Sequence, residues 1–90
     1  QEALALGLVD RRSAPGEALQ AALELARHIS PNGPVALRAA KEAIDVGLDL
    51  DLDQGLALER ACYARVLPTQ DRLEGLAAFR ERRKPVYRGR

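Results

Sequence analysis

Three aspartates alternate with leucines and precede a glycine, in the order Asp49, Asp51, Asp53 and Gly55. Alternating carboxylates followed by glycine are typical of the start of a calcium-binding loop. The spacing does not fit such a loop, because Gln54 stands where the glycine belongs and Arg60 stands where a bidentate glutamate belongs. The aspartates are therefore interpreted as acids at the start of a helix, and no metal site is predicted.

The chain has one histidine, His28, and one cysteine, Cys62. Glu24 precedes His28 by four residues, so a pair on a helix surface is expected. No nucleophile has a convincing sequence relation to His28, and no cation is expected close enough to Cys62 to favour its thiolate. Cys62 is therefore interpreted as a buried structural thiol, and no catalytic residue is predicted in these 90 residues.

Residues 80–90 form a basic tail, with six basic groups against one acid, Glu81, and a net charge of +5. The basic residues are Arg80, Arg82, Arg83, Lys84, Arg88 and Arg90. The rest of the chain holds 8 basic and 12 acidic groups, a net charge of −4. A basic terminus on an acidic body indicates a polyanionic ligand or partner. The alternative is a solvated surface with no specific ligand.

Apolar residues make up 47% of the chain, but only one Phe and two Tyr are aromatic. A composition dominated by Leu and Ala favours helices. No apolar run approaches the roughly 18 residues of a membrane span. The chain begins at Gln1 without a methionine or a signal-like segment, so it is interpreted as a piece of a longer protein.

Apolar residues at helical spacing, bounded by Pro, Gly and capping residues, predict four helices. They cover about residues 16–29, 34–46, 52–67 and 70–83. Residues 2–6 are expected to form the last turn of an earlier helix, with Gly7 as its left-handed cap. Pro34 suits a first helical position, and Thr69 suits an N-cap.

The third predicted helix is apolar on two sides. One side carries Leu52, Leu56, Tyr63 and Val66, and the other carries Leu58, Ala61 and Cys62. Two apolar sides require two partners, one of which is expected to be another chain. Uncovered apolar surface also predicts that this chain self-associates.

Three stretches resemble, in order, the crotonase (enoyl-CoA hydratase/isomerase) family. Residues 2–10 resemble its "EA…GLV" step, and residues 32–44 resemble its "GP.A....K.A" helix. Residues 71–89 are similar to the "D..EG..AF.EKR.P.F.G" ending of enoyl-CoA hydratases. Residues 61–69 resemble the methylglutaconyl-CoA hydratase (AU-RNA-binding) branch of that family.

The resemblance implies an all-α, four-helix C-terminal trimerisation segment, with the ββα-spiral core of the fold absent. Residues 1–15 would be the end of that core and a connecting loop. Residues 16–90 would be the helical region for oligomerisation and CoA contact. The oxyanion-hole amides and catalytic glutamates would lie upstream, and Glu59 and Glu74 are not expected to be those glutamates.

Three substrate-binding residues follow from the same resemblance. Phe79 matches the family's Phe in "AF" and would form a wall of the acyl pocket. Arg82 matches the Lys of "EKR" and would meet the CoA phosphates, with Lys84 as a further cation. Arginine in place of lysine exchanges a point charge for a planar fork. Tyr87 replaces a common Phe and would add a hydroxyl.

The function implied for the full-length protein is addition of water to α,β-unsaturated acyl-CoA thioesters in fatty acid metabolism. It would need no cofactor, because acyl-CoA is the substrate. It would be a homo-oligomer, a trimer or a dimer of trimers, outside the membrane, in the bacterial cytoplasm or the mitochondrial matrix. Other reactions of the family, by isomerases, dehalogenases and acyl-CoA hydrolases, stay open.

A helical nucleic-acid-binding module is a second alternative, in which the basic tail would bind RNA. Only one aromatic residue stands near that tail, and no recognised binding motif is present, which weighs against this alternative. A non-catalytic assembly domain is a third alternative.

Overall fold

The computed structural model describes residues 1–90 and is helical without strands. The helices are α1 (Glu2–Ala5), α2 (Ala18–Ile29), α3 (Pro34–Gly47), α4 (Leu52–Val66) and α5 (Gln70–Glu81). The all-α class and the four predicted helices are confirmed, with α5 ending two residues earlier than expected. None of these helices combines the length and the apolar character that a membrane span requires.

The chain divides into two compact units, residues 1–30 and 31–90. In the first unit α1 ends as predicted, because Gly7 has a φ of +71°. The Gly7 amide donates to the carbonyl of Leu4, and the Leu8 amide donates to the carbonyl of Ala3 at 2.8 Å. This pair of hydrogen bonds is a Schellman motif, which satisfies the last carbonyls of a helix.

His28, in the last turn of α2, does not pair with the Glu24 carboxylate as expected. Its Nδ1 lies 2.7 Å from the backbone carbonyl oxygen of Glu24. The Glu24 carboxylate instead accepts a hydrogen bond from Gln20 Nε2 at 3.0 Å. The spacing correctly predicted Glu24 as the neighbour of His28. The contact is with the Glu24 backbone carbonyl and not with its carboxylate, because a helix also presents its carbonyls to side chains four residues later.

In the second unit α3 and α4 pack against each other. Pro34 occupies the start of α3, where its missing N–H costs no helical hydrogen bond. Asp51 is the N-cap of α4, and its Oδ1 accepts the Gln54 amide at 3.0 Å. A Cβ on Gly55 would lie 3.5 Å from the Gly47 carbonyl oxygen, an ordinary van der Waals contact, so α4 begins close to the end of α3.

Cys62 is 3% exposed, which confirms its interpretation as a buried thiol. The prediction that no cation lies near it was wrong, because Arg65 Nη2 is 3.2 Å from Cys62 Sγ. Residues three apart share a face of a helix, and this geometry brings the two side chains together. Arg65 also donates to Glu42 Oε2 on α3 at 2.5 Å, and this hydrogen bond is the main cause that raises the pKa of Arg65.

The apolar core of the chain is small, with only Ala39, Cys62 and Ala78 as buried hydrophobic residues. Larger apolar side chains lie at the surface, and Leu52 is 76% exposed. Large exposed apolar surfaces mark sites of association. The chain therefore carries more apolar surface than it covers by itself.

Candidate functional site

The basic tail folds back along α5. This helix begins at Thr69, whose Oγ1 accepts the Arg72 amide at 3.2 Å and donates to the Val66 carbonyl at 2.7 Å. Thr69 therefore caps the helix as predicted, and the acids in the first two turns of α5 are free for other contacts.

Arg82 ends α5 in the left-handed region, with a φ of +51°. The Arg82 amide donates to the carbonyl of Phe79, and the Arg83 amide donates to the carbonyl of Ala78 at 3.0 Å. These bonds form a Schellman motif at a position where glycine is usual. The left-handed conformation of Arg82 explains why α5 stops at Glu81 instead of continuing to residue 83, and it directs the tail back towards the start of α5.

Glu74 holds the first part of the returning tail. Its carboxylate accepts two hydrogen bonds from Arg83, at 2.5 Å from Nη1 and 2.9 Å from Nη2. Oε1 also accepts the Val86 amide at 2.8 Å. Arg83 Nε donates to Glu81 at 2.6 Å, so this guanidinium is bound by two carboxylates. Planar bidentate pairing of this kind fixes direction as well as distance.

Asp71 holds the end of the tail. Its two carboxylate oxygens accept the amides of Arg88 at 2.7 Å and of Gly89 at 2.8 Å. Its own amide donates to the carbonyl of Arg90 at 3.0 Å. Asp71 is 6% exposed, and it is the one charged residue that the chain buries. A buried carboxylate needs such partners to offset its loss of hydration.

Tyr87 lies between these two anchors and packs against two glycines. A Cβ on Gly75 would lie 3.0 Å from the Tyr87 hydroxyl, and a Cβ on Gly33 would lie 3.8 Å from the ring. Gly89 lies against Pro34 at the start of α3, where a Cβ would be 3.8 Å from the proline ring. Gly75 thus provides space for the Tyr87 hydroxyl beside α5, whereas the distances at Gly33 and Gly89 are ordinary van der Waals contacts.

The three substrate-binding residues predicted from the resemblance lie at the end of α5 and in the turn that follows. Phe79 is 85% exposed although it is aromatic. Arg82 and Lys84 are exposed, and neither takes part in an ion pair. The backbone bond between Arg82 and Phe79 places these two residues one turn apart. Arg80 in the same stretch is likewise exposed and in no ion pair, so residues 79–84 present one apolar ring and three unpaired cations.

The tail is less positive in the fold than in the sequence. Among its six cations only Arg83 forms ion pairs, with Glu74 and Glu81. Glu74 and Asp71 bring two further negative charges against the tail. Its net charge of +5 is therefore partly offset, and the remaining positive charge includes the side chains of Arg82 and Lys84.

The family model for enoyl-CoA hydratase/isomerase matches residues 1–90, which is the whole chain. The chain belongs to the enoyl-CoA hydratase/isomerase family. This places it in the crotonase superfamily, as the order of its motifs predicted.

Similar proteins include a mitochondrial methylglutaconyl-CoA hydratase from Homo sapiens, 50% identical over 99% of this chain and 27% of that protein. An enoyl-CoA hydratase structure from Bacillus anthracis superposes with a TM-score of 0.95 and 47% identity, over 100% of this chain and 35% of that one. An enoyl-CoA hydratase from Mycobacterium tuberculosis superposes with a TM-score of 0.90 and 39% identity, over 98% of this chain and 35% of that one. The chain thus spans about a third of the length of these family members.

The contacts of Asp71 and Glu74 with the tail were not predicted from the sequence of this family member. Both lie in the stretch 71–89 that resembles the family's ending, and Glu74 was otherwise interpreted only as a glutamate outside the catalytic set. Their partners lie 9 to 18 residues away, beyond the reach of helical periodicity. The available signal was two acids three residues apart on one helix, followed by Pro85 and a basic stretch that could reverse over them.

The Glu74 contacts predict an acid-dependent stability. The hydrogen bonds from Arg83, and then the Val86 amide, lower the pKa of Glu74 from 4.5 to about 2. A folded-state pKa below the unfolded one stabilises the fold above the unfolded pKa. This contribution is lost as pH falls from about 4.5 through about 2.

The measurement is the difference in unfolding free energy between the wild type and Glu74→Gln as a function of pH. Other carboxylates cancel in this difference. We expect it to be constant above pH 5 and to vanish towards pH 2. A difference that does not change across this range would show that Glu74 is not held as an ionised partner of the tail.

Proposed function

We propose that the complete protein is an enoyl-CoA hydratase that adds water to α,β-unsaturated acyl-CoA thioesters, with this chain as its C-terminal helical part. The support is the family membership of residues 1–90 and the hydratases among its relatives. Upstream backbone amides would stabilise the thioester enolate, and upstream glutamates would transfer the protons. Asp71 and Glu74 hold tail amides and Arg83, so neither carboxylate is available for that proton transfer.

The observation that carries the role of this segment is the exposed end of α5. Phe79 offers an apolar ring, and Arg82 and Lys84 offer cations without an internal partner. Acyl-CoA combines an apolar acyl chain with the pyrophosphate and 3′-phosphate of its nucleotide. An aromatic side chain beside two free cations suits both parts of such a ligand. We therefore assign the acyl-pocket wall to Phe79 and the phosphate contacts to Arg82 and Lys84.

The test of the reaction is the product formed by the complete protein from crotonyl-CoA in ¹⁸O-labelled water. A hydratase yields 3-hydroxybutyryl-CoA with one labelled oxygen and an intact thioester. Release of free CoA thiol would instead indicate a hydrolase, and a shift of the double bond without label would indicate an isomerase. We expect the isolated 90-residue chain to be inactive. Turnover by the pure chain that is abolished by a substitution within it would contradict the proposal.

The apolar groove between α3 and α4 supports a second role, in assembly. It has a volume of about 810 Å³, and its lining includes Ala40, Ile44, Leu52, Leu56 and Tyr63. Small residues on one helix opposite larger ones on the other provide a surface for close packing. We infer that this groove belongs to the contacts of a homo-oligomer, a trimer or a dimer of trimers.

The isolated chain is expected to self-associate through this groove, in sedimentation experiments at high concentration. Leu56→Glu places a charge in the groove and should shift the chain towards the monomer. Ala64→Glu adds the same charge to α4 outside the groove lining and should leave the association unchanged. A wild-type chain that stays monomeric at all concentrations would count against this role.

The same relatives also support a proposal for the cellular location. They include a mitochondrial human enzyme and an enzyme of Bacillus anthracis. These relatives support a mitochondrial matrix or bacterial cytoplasmic location for the complete protein.

A further inference from the structure

Asp71 and Glu74 form a tail clamp, which we define as these two carboxylates together with the tail amides they accept. The clamp is not needed to start α5, because Thr69 already caps that helix. It also carries a cost, because Asp71 is 6% exposed and has lost nearly all of its hydration. The amides of Arg88 and Gly89 compensate for that loss at Asp71, and the Val86 amide adds a hydrogen bond to Glu74.

The clamp fixes the backbone on the C-terminal side of Arg82. On the N-terminal side, the Schellman bonds of Arg82 and Arg83 tie the turn to the last turn of α5. On the C-terminal side, Glu74 binds Arg83 and the Val86 amide within four residues of Arg82. Arg82 therefore stands between two anchored segments. No hydrogen bond holds its side chain, so the backbone alone sets the direction in which the guanidinium leaves the chain.

The conformation of Arg82 also costs free energy. A non-glycine residue in the left-handed region has a Cβ contact that glycine avoids. Such a conformation persists only where the surrounding structure imposes it. The tail clamp provides this constraint, because a tail released from Asp71 and Glu74 would leave the turn free to relax.

We propose that Asp71 and Glu74 are positioning residues, which hold the tail so that Arg82 directs its guanidinium at the nucleotide phosphates of acyl-CoA. This inference rests on the proposed function, because it needs Arg82 to contact those phosphates. It adds two residues that touch no substrate and act through Arg82. A merely structural clamp would affect all substrates alike, whereas a positioning clamp affects the ligand that carries the nucleotide.

The test compares crotonyl-CoA with crotonyl-pantetheine, which lacks the nucleotide, as substrates of the complete enzyme. Asp71→Asn has nearly the same shape, but it offers one acceptor oxygen to two amides and places an NH₂ group against the other. Glu74→Gln keeps an acceptor for Val86 and loses the charge that binds Arg83. The matched control is Glu81→Gln, which removes the same charge beside Arg83 but accepts no tail amide.

We expect Asp71→Asn to raise KM for crotonyl-CoA by about tenfold, as for the loss of one charge-assisted contact. The change should appear in KM more than in kcat, because the contact is the same in ground and transition states. The KM for crotonyl-pantetheine should change much less. Glu74→Gln should show the same selectivity with a smaller effect, and Glu81→Gln should show none. Adding Asp71→Asn to Arg82→Ala should cause little further loss, since both substitutions remove the same contact.

The outcomes distinguish failure of the tail clamp from failure of the proposed function. If Arg82→Ala raises KM selectively for crotonyl-CoA and Asp71→Asn does not, the clamp is overturned and the proposed function stays intact. Equal loss for both substrates in Asp71→Asn, with a lowered Tm, would show a merely structural role and overturn the clamp as well. Arg82→Ala without nucleotide selectivity would overturn both the phosphate assignment and the clamp. The clamp is supported if both single variants raise KM selectively for crotonyl-CoA and the two increases are not additive in the double variant.

Discussion

Arg82→Ala in the complete enzyme is expected to weaken acyl-CoA binding by roughly ten- to hundredfold, which corresponds to about 1.5–3 kcal/mol for a charge-assisted hydrogen bond. The physical reason is the dense negative charge of the CoA phosphates opposite a cation that has no partner in its own chain. The loss should be smaller for the same acyl group on pantetheine and should decrease as salt is added. The measurement is the ratio of KM values for the two substrates at low and high ionic strength.

Two further variants at this position separate charge from backbone conformation. Arg82→Lys keeps the charge but loses the planar fork, so it should retain most of the preference for acyl-CoA over the acyl-pantetheine. Arg82→Gly removes the charge but suits the φ of +51°, so it should bind acyl-CoA as weakly as the alanine variant while being at least as stable as the wild type. Equal weakening for both substrates in Arg82→Ala would contradict the phosphate assignment and would favour an assembly role for the tail.

Asp71→Ala is expected to produce the largest loss of stability among single substitutions in the tail and α5. It removes two hydrogen bonds to a charged acceptor, at 2.7 and 2.8 Å, and should cost about 2–4 kcal/mol. The tail would then undock, because its amides can pair with water once they leave α5. Amide hydrogen exchange reports this change directly, with faster exchange at Val86, Arg88 and Gly89.

Asp53→Ala is the matched control for this effect. Asp53 stands in the first turn of α4, as Asp71 stands in the first turn of α5, but it binds no tail. Its removal should cost only the helix-dipole contribution, about 0.3–1 kcal/mol. Similar losses in both variants would show that Asp71 acts through the helix dipole, and the tail clamp would then contribute little to stability.

The helices could be predicted from the sequence because their signals are local. Pro34, Asp51 and Thr69 stand where helix starts need them, and Gly7 stands where a left-handed cap is needed. Each of these signals depends on residues within one turn. Periodicity then placed the apolar faces, and the buried Cys62 followed from it.

The path of the tail could not be predicted in the same way. Asp71 binds amides 17 and 18 residues away, and nothing in the spacing indicates that Arg88 and Gly89 return to it. A left-handed Arg82 also contradicts residue preference, which favours glycine at that position. The tail contacts outweigh that local preference, so the end of α5 was predicted two residues too late.

The proposed substrate-binding residues were predicted from resemblance and not from spacing. Residue chemistry alone indicated only a polyanionic ligand for the basic tail, and it did not distinguish one cation from another. The fold distinguishes one of them, because Arg83 is bound by Glu74 and Glu81 whereas the other five cations of the tail are in no ion pair. The structure thus sets Arg83 apart, which the charge count could not do, and the choice of Arg82 and Lys84 among the other cations rests on the resemblance.

The most direct test of the central proposal is a crystal structure of the complete enzyme with a non-reactive acyl-CoA analogue. The expected result is a CoA phosphate oxygen about 2.7–2.9 Å from the Arg82 guanidinium, the distance of a charge-assisted hydrogen bond. Phe79 should contact the ligand, and the tail should remain docked on Asp71 and Glu74. A structure in which the phosphates bind elsewhere, with Arg82 in solvent or paired with a carboxylate of the protein, would contradict the assignment of this segment to CoA binding.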